Sequence, residues 1–410
     1  DAVIFAAVMI FIMTALGLYQ RELKEGEWGY FPRLGVSLVV GLGVMSVLFY
    51  LVPSLALGRG VVGFTFAFAL AGLTAARYFY LKLSDNQVIK RRVLVLGTGS
   101  RAFKVGELEK ANDHSGFHVV GYLPVNDADP SGHAKVLPRH GSLCDMVKRH
   151  RIEEIVVGIR DRRQSLPIQD ILECKLNGIA VVDLPTFFER ETGRIHLDTL
   201  NPSHLIFGDG FQQGVFKSVL KRSFDIGASI ALLLLAAPIM LLTAALIYWE
   251  DRGPIFYRQE RVGQAGARFF LLKFRSMRVD AESDGKPQWA RKNDDRTTRV
   301  GRFIRKVRID ELPQVFNVLR GDMSFVGPRP ERPYFVQELT REIPFYAARH
   351  TVKPGITGWA QVRYPYGASV EDAKQKLQYD LYYVKNNTLF LDLIVLFQTV
   401  RVLIWGEGAR

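Results

Sequence analysis

Cysteine and histidine are both scarce in this chain. Its 410 residues hold two cysteines, Cys144 and Cys174, far apart in sequence and matching no metal or redox spacing. Nothing calls for an oxidising compartment, so the parts that carry them are expected to face the cytosol. Between residues 251 and 365 the one histidine is His350, which sets aside a histidine-based metal site or a Ser-His-Asp triad there. Residues 90–200 hold a single tyrosine, Tyr122, and no Tyr-x-x-x-Lys pair; short-chain hydride chemistry therefore lacks its proton donor. Acidic side chains are outnumbered, 41 against 54 Lys and Arg, for a net charge of +13. That balance points to anionic partners. Because 48% of the residues are hydrophobic, a membrane surface and phosphorylated substrates fit better than nucleic acid.

What is present begins with three uncharged apolar runs, Ala2–Tyr19, Leu34–Val52 and Gly60–Ala76. Each approaches the roughly 20 residues needed to cross about 30 Å of hydrocarbon. They predict transmembrane helices over residues 1–80, since a soluble domain with so few intervening charges would have little polar surface. No cleavage site follows the first run, which excludes a removable signal peptide. The loop "QRELKEGEWGYFPR" carries Arg21, Lys24 and Arg33, and Arg77, Lys82, Lys90, Arg91 and Arg92 follow the third run. The positive-inside rule puts both segments in the cytosol. Residue 1 then lies outside, and a fourth helix is expected upstream of it.

The pattern changes at "RRVLVLGTGSRA". A buried strand, a turn at Gly97 and Gly99, and a helix start are predicted there. "HVVGYLPV", "EEIVVGI" and "GIAVVDLP" read as further strands with helices between them, which predicts a Rossmann-like parallel α/β domain over 90–200. The glycine turn can serve a nucleotide or only a tight bend; a structural or regulatory module is the preferred reading. Residues 201–220 read as a linker.

Ile226–Trp249 is again uncharged and long enough to cross a bilayer. Lys221, Arg222 and Asp225 flank it on one side and Glu250, Asp251 and Arg252 on the other. Pro238 removes an amide donor near its middle. Straight crossing and re-entry both suit these features. Topology favours re-entry, since crossing would carry the basic region that follows away from cytosolic nucleotides. The final run, "NTLFLDLIVLFQTVRVLIWGEGAR", suits either an interfacial helix or a core helix.

Residues 251–365 are rich in arginine and lysine, so chemistry there must come from carboxylates and guanidinium groups. In "VGRFIRKVRI", Val300, Phe303, Ile304 and Val307 recur at helical spacing beneath Arg302 and Arg305. A domain resting on anionic lipid needs such a face, though a solvated charged face has the same pattern. In "RIDELPQVFNVLRGDMSFVGPRPE", Asp310 stands where a helix N-cap would, Glu311 in the first turn, and Gly321 at the stop. Capping has the stronger local signature, but phosphate chemistry is compatible with it. Arg305 and Arg308 are expected to keep both carboxylates ionised. A charged carboxylate beside a screened phosphate can attack phosphorus, and oxygen-only ligands point to magnesium.

Together with "KFRSM" and "KPGITGWAQV", that stretch resembles the bacterial polyprenyl-phosphate sugar-1-phosphate transferases, in their large multi-domain form. The resemblance runs from about Lys221 to Arg410. It implies a membrane-associated, α-rich α+β catalytic domain over 221–410, with a re-entrant helix over 226–249 broken at Ala237-Pro238. It implies attack by Asp310 on the sugar-proximal phosphate of a UDP-sugar, such as UDP-glucose or UDP-galactose. UMP leaves, and the phosphosugar passes to undecaprenyl phosphate, the first membrane step of exopolysaccharide or O-antigen synthesis. Glu311 would assist, Mg2+ would sit at Asp310 and Glu311, and Lys273, Arg275, Arg305 and Arg329 would hold phosphates. The expected location is the bacterial inner membrane, multi-pass, with the catalytic domain on the cytoplasmic face and a possible homodimer. The family often has serine before the proline, where this chain has Ala237, and a small polar residue where it has Arg308. A membrane-tethered NAD-dependent dehydratase or epimerase using Gly97–Gly99, and a non-catalytic scaffold, are the alternatives.

Overall fold

Charge-free runs of this length satisfy their own backbone hydrogen bonds only as helices when water is scarce, and the N-terminal runs are helical: α1 (Ala2–Ala15), α2 (Tyr30–Leu51) and α3 (Arg59–Ser84). The computed structural model describes residues 2–15, 18, 30–55, 58–84, 90–111, 116–125, 135–138, 141–159, 166–200, 210–211, 214–278, 296–365, 367 and 369–405. Arg21, Lys24 and residues 201–209, 212 and 213 of the expected linker lie outside the described residues. The chain divides into two compact units, Asp1–Ile206 and Phe207–Arg410.

In the first unit, β1 (Arg91–Leu96), β2 (Phe117–Leu123), β3 (Glu154–Val157) and β4 (Ala180–Asp183) form a parallel sheet in the order β2-β1-β3-β4. Helices α4 (Ser100–Ala111), α5 (Leu143–Arg149), α6 (Ile168–Leu176) and α7 (Leu184–Thr192) alternate with the strands. Successive side chains of a strand face opposite ways, which gives β1 two cores. Leu94 and Leu96 join Leu143, Met146 and Cys174 from α5 and α6. Val93 and Val95 join Ala102, Val105 and Phe187 from α4 and α7. The turn between β1 and α4 depends on Gly97, at φ +113°. Gly158 approaches Ala102 so closely that an added Cβ would lie 2.9 Å from the alanine's own.

The second unit opens with one long helix, α8 (Val215–Asp251), which starts inside the stretch read as linker. Among the described residues two helices, Leu34–Leu51 and Val215–Asp251, are long and apolar enough to cross a membrane. The break expected at Ala237-Pro238 is corrected: the helix runs through both residues, each of them exposed. A proline on an open face leaves its carbonyl partner accessible and can be absorbed by bending.

After α8 come the hairpin β5 (Phe256–Val262) and β6 (Arg268–Phe274), helix α9 (Arg299–Lys306), a 3₁₀ turn Ile309–Glu311 and α10 (Gln314–Arg320). Then follow β7 (Ser324–Val326), α11 (Pro333–Glu342), the 3₁₀ segment Tyr346–Thr351, β8 (Gly355–Thr357), α12 (Trp359–Arg363), α13 (Val370–Asn386) and α14 (Leu389–Trp405). Strands β7 and β8 pair in parallel. The core joins Val315, Val318, Phe325, Trp359, Tyr383 and Val395, so α14 buries one face as a core helix while Phe390 and Val400 stay exposed.

Candidate active site

The acidic pair sits where three elements meet. Strand β6 brings Lys273, the 3₁₀ turn brings Asp310 and Glu311, and the Pro-Arg-Pro turn after β7 brings Arg329. Lys273 Nζ and Arg329 Nη2 each lie 2.8 Å from the same atom, Glu311 Oε1. Arg308 Nη1 approaches that oxygen at 3.9 Å. Among the described residues these three cations all approach Oε1, and no side chain donates a hydrogen bond to Oε2.

Asn317 fixes the register of this arrangement. Its side-chain amide accepts from Leu272 N at 3.0 Å and donates to Phe270 O at 2.8 Å. It thereby takes the place of a neighbouring strand along β6 and ties α10 to the strand that carries Lys273. Nothing in the sequence marked Asn317, because its partners are backbone atoms some 45 positions away.

Asp310 is buried, at 8% exposure, and has no hydrogen-bond partner among the described residues. The capping expectation is therefore corrected. Asp310 lies inside the 3₁₀ turn, and α10 starts after Pro313 with no side-chain cap. The proline has no amide to offer a capping oxygen. Gly321 does end α10, at φ +99°. Arg308 enters the turn with φ +60°, a left-handed conformation that costs a β-carbon residue of order 1 kcal/mol or more. It swings the next two residues toward Lys273.

The two carboxyls titrate in opposite directions. Burial pushes Asp310 above the ordinary aspartate value, and Glu311 adds to the rise, while Lys273, Arg308 and Arg305 only partly offset it. Arg305 and Arg308 do act in the expected direction, favouring the ionised form, but neither donates a hydrogen bond to Asp310 and desolvation is the larger effect. Burial also acts to raise Glu311, but Lys273 and Arg329 outweigh it and hold that carboxyl well below the glutamate range.

The remaining expected residues separate. Arg305, on α9, is half-buried and acts on Asp310 only through its field. Arg275 turns away from the acidic pair and pairs with Asp251 at the end of α8. It is 6% exposed, and Gly253 leaves it room: an added Cβ there would overlap the guanidinium.

Among the described residues no group of three or more acidic, histidine or cysteine side chains could enclose a metal. Two carboxylates nevertheless suit magnesium, which commonly takes one or two from protein and the rest from water and substrate phosphate. Asp310, with no hydrogen-bond partner, and Glu311 Oε2 are the atoms that fit it.

Comparison with known proteins gives concordant matches. Residues 216–406 match the family model described as bacterial sugar transferase, and residues 14–173 match one described as a CoA-binding domain. A UDP-N-acetylgalactosamine-undecaprenyl-phosphate N-acetylgalactosaminephosphotransferase of Aeromonas hydrophila is 44% identical over 63% of this chain. The chain spans 61% of that relative's length. A UDP-glucose:undecaprenyl-phosphate glucose-1-phosphate transferase of Xanthomonas campestris is 35% identical over 84% of the chain and 74% of its own length. An enzyme of the same name from Escherichia coli is 40% identical over 78% of the chain and 68% of its own.

Proposed function

The chain belongs to the bacterial sugar transferase family, and from that premise we propose that it transfers a hexose-1-phosphate from a UDP-sugar to undecaprenyl phosphate and releases UMP. One observation carries the reading: a buried aspartate without a hydrogen-bond partner lies beside a glutamate that two cations grip through one oxygen. A capping or structural aspartate would be satisfied by donors. One left unpaired in a cationic pocket is available to a phosphorus atom.

In the first step an Asp310 carboxylate oxygen bonds to the sugar-proximal phosphorus. The bond from that phosphorus to the bridging oxygen breaks, and UMP leaves with the electron pair. In the second, an oxygen of undecaprenyl phosphate attacks the same phosphorus, and the aspartate carboxylate departs unchanged. Lys273 and Arg329, already positioned on Glu311, neutralise charge on the equatorial oxygens without reorganising. Glu311 holds those cations in place, and the attack is assigned to Asp310, whose carboxylate has no donor. Magnesium bound through Asp310, Glu311 and the diphosphate would supply further charge screening.

The way α8 is held supports a membrane arrangement for the catalytic unit. Arg222 donates to Val318 O and Leu319 O at 2.5 and 2.6 Å, and Asp225 accepts from Ser324 Oγ and Phe325 N. At the far end Glu250 accepts from Arg299 N at 2.7 Å, while Ile247 shares a cluster with Ile304. Both ends of one helix thus rest on the single stretch 298–326, which carries Arg299, Arg302, Arg305 and Lys306. Leu234, Leu235, Leu241, Leu242 and Trp249 point outward. A straight crossing would drag those arginines into hydrocarbon, each at a cost of about 2.5–3.5 kcal/mol or more. Re-entry, with α8 bathed in the inner leaflet and the catalytic unit on the cytoplasmic side, avoids that, and α1–α3 complete a multi-pass inner-membrane protein. No observation favours the dehydratase or scaffold readings.

The test uses the full chain in nanodiscs with undecaprenyl phosphate, magnesium and a panel of UDP-sugars. UMP release is expected with at least one donor and none from Asp310→Asn. With acceptor withheld, intact mass should rise by one phosphohexose. UDP as the product, or full turnover by the asparagine variant, would overturn the proposal.

A further inference from the structure

The Pro-Arg-Pro turn that aims Arg329 is held by its backbone in an unusual way. Three successive carbonyls each accept from a different donor. Arg349 Nη2 reaches Arg329 O at 2.9 Å, Arg261 Nη1 reaches Pro330 O at 2.9 Å, and Val262 N reaches Glu331 O at 3.0 Å. The second and third come from β5. The first comes from a side chain of the 3₁₀ segment Tyr346–Thr351.

Arg349 is 6% exposed, and its partners Tyr346 and Asp380 are each 2% exposed. Its Nη1 donates to Tyr346 Oη at 2.6 Å, its Nη2 pairs with Asp380 Oδ2 at 2.8 Å, and the guanidinium carbon lies 5.1 Å from the Tyr346 ring centroid. Its Nε has no partner. A buried ion pair with an unsatisfied donor is a poor way to gain stability, because desolvating both charges offsets their attraction. A hydrophobic pair of the same volume would pack as well. What such a pair cannot do is grip a carbonyl at a fixed distance from a carboxylate on another helix.

Resting on the transferase reading, we propose that Arg349 is a positioning residue. Clamped by Asp380 of α13 and by Tyr346, it holds the Arg329 carbonyl so that the Arg329 guanidinium stays on Glu311 Oε1 as phosphate charge develops. The fork is essential to this role. A lysine at 349 keeps the charge and can stay with Asp380, but it cannot also reach Tyr346 and the Arg329 carbonyl in the same geometry.

The experiment measures UMP release by the full chain in nanodiscs, with thermal midpoints recorded alongside. For Arg349→Lys, kcat is expected to fall about tenfold or more with donor KM changed less than about threefold, the split of an interaction made in the transition state. Tyr346→Phe, a milder loss, should move kcat in the same direction, and it carries the test if the lysine variant does not fold. In an Arg329→Lys background, Arg349→Lys should cost less than about twofold more, since residues acting through one another do not add. A kcat for Arg349→Lys, or failing that for Tyr346→Phe, within twofold of wild type overturns the inference, as does fully additive loss in the double variant. A wild-type protein that releases no UMP from any donor instead overturns the transferase reading, and the inference with it.

Discussion

Asp310 and Glu311 are neighbours in the chain, yet the fold drives their protonation apart: burial raises the first, while Lys273 and Arg329 hold the second far down. Paired groups with separated titration commonly have separate roles. Here burial moves one carboxyl toward its neutral form, and the two cations favour the charged form of the other.

That relationship predicts how activity responds to pH. Asp310 must be ionised to attack, so activity should fall as pH drops through its raised value. Glu311→Gln removes a charge that raises Asp310, which should shift the acid limb to lower pH. Turnover should also fall, by roughly a hundredfold, as Lys273 and Arg329 lose their anchor. Lys273→Met removes the strongest lowering charge and should shift the limb upward. Limbs that move together in the two variants would contradict the assignment; kcat measured between pH 4.5 and 8 decides it.

Both ends of α8 are predicted to face the same compartment. Single cysteines at Lys217 and Arg252, in a chain with Cys144 and Cys174 replaced by serine, should react with an impermeant maleimide from the same side of sealed vesicles. Labelling from opposite sides would mean that α8 crosses the bilayer.

Gly301 lies on α9 where the helix meets the end of the β6 segment, and an added Cβ would fall 2.0 Å from Ser276 O. The neighbour is backbone, which cannot rotate away. Gly301→Ala is expected to destabilise the second unit by about 1–3 kcal/mol or more, read as a lowered denaturation midpoint.

His350 is held neutral by burial and by Arg349, with its pKa lowered to about 4 from 6.5. A depressed folded value favours the native state fully above pH 6.5, and that contribution is lost as pH falls toward 4. Stability should therefore decline over this window, and His350→Gln should flatten the decline. Denaturation midpoints at pH 7 and pH 4.5 for both proteins give the comparison; equal losses would show that other groups control acid lability.

Periodicity and turn chemistry made much of the fold legible. The strand at Arg91–Leu96 and its glycine turn were readable because a short apolar run and the turn glycine that ends it are local properties. Gly321 was readable as a helix stop for the same reason. The role of Asp310 was misread locally: acidic residue, then proline, then an apolar run resembles a helix entry. The distinction lay in whether a free amide stood within reach, and Pro313 supplies none. Arg275 was grouped with Lys273 because both stand in "KFRSM", but only contact with Asp251 revealed where its guanidinium goes. Asn317, Arg349 and Asp380 left no signal, since each acts on backbone or a side chain far away in sequence.

By itself the sequence determined which segments are apolar enough for a membrane, where the parallel sheet lies, and which carboxylates and cations were candidates for phosphate chemistry. Those depend on composition and on spacing along the chain. Only the tertiary structure decided which cations meet which carboxylate oxygen, which carboxyl is left without a donor, and how both ends of the long helix reach one surface. Desolvation and hydrogen-bond geometry set those outcomes, and both are properties of what surrounds a residue in space.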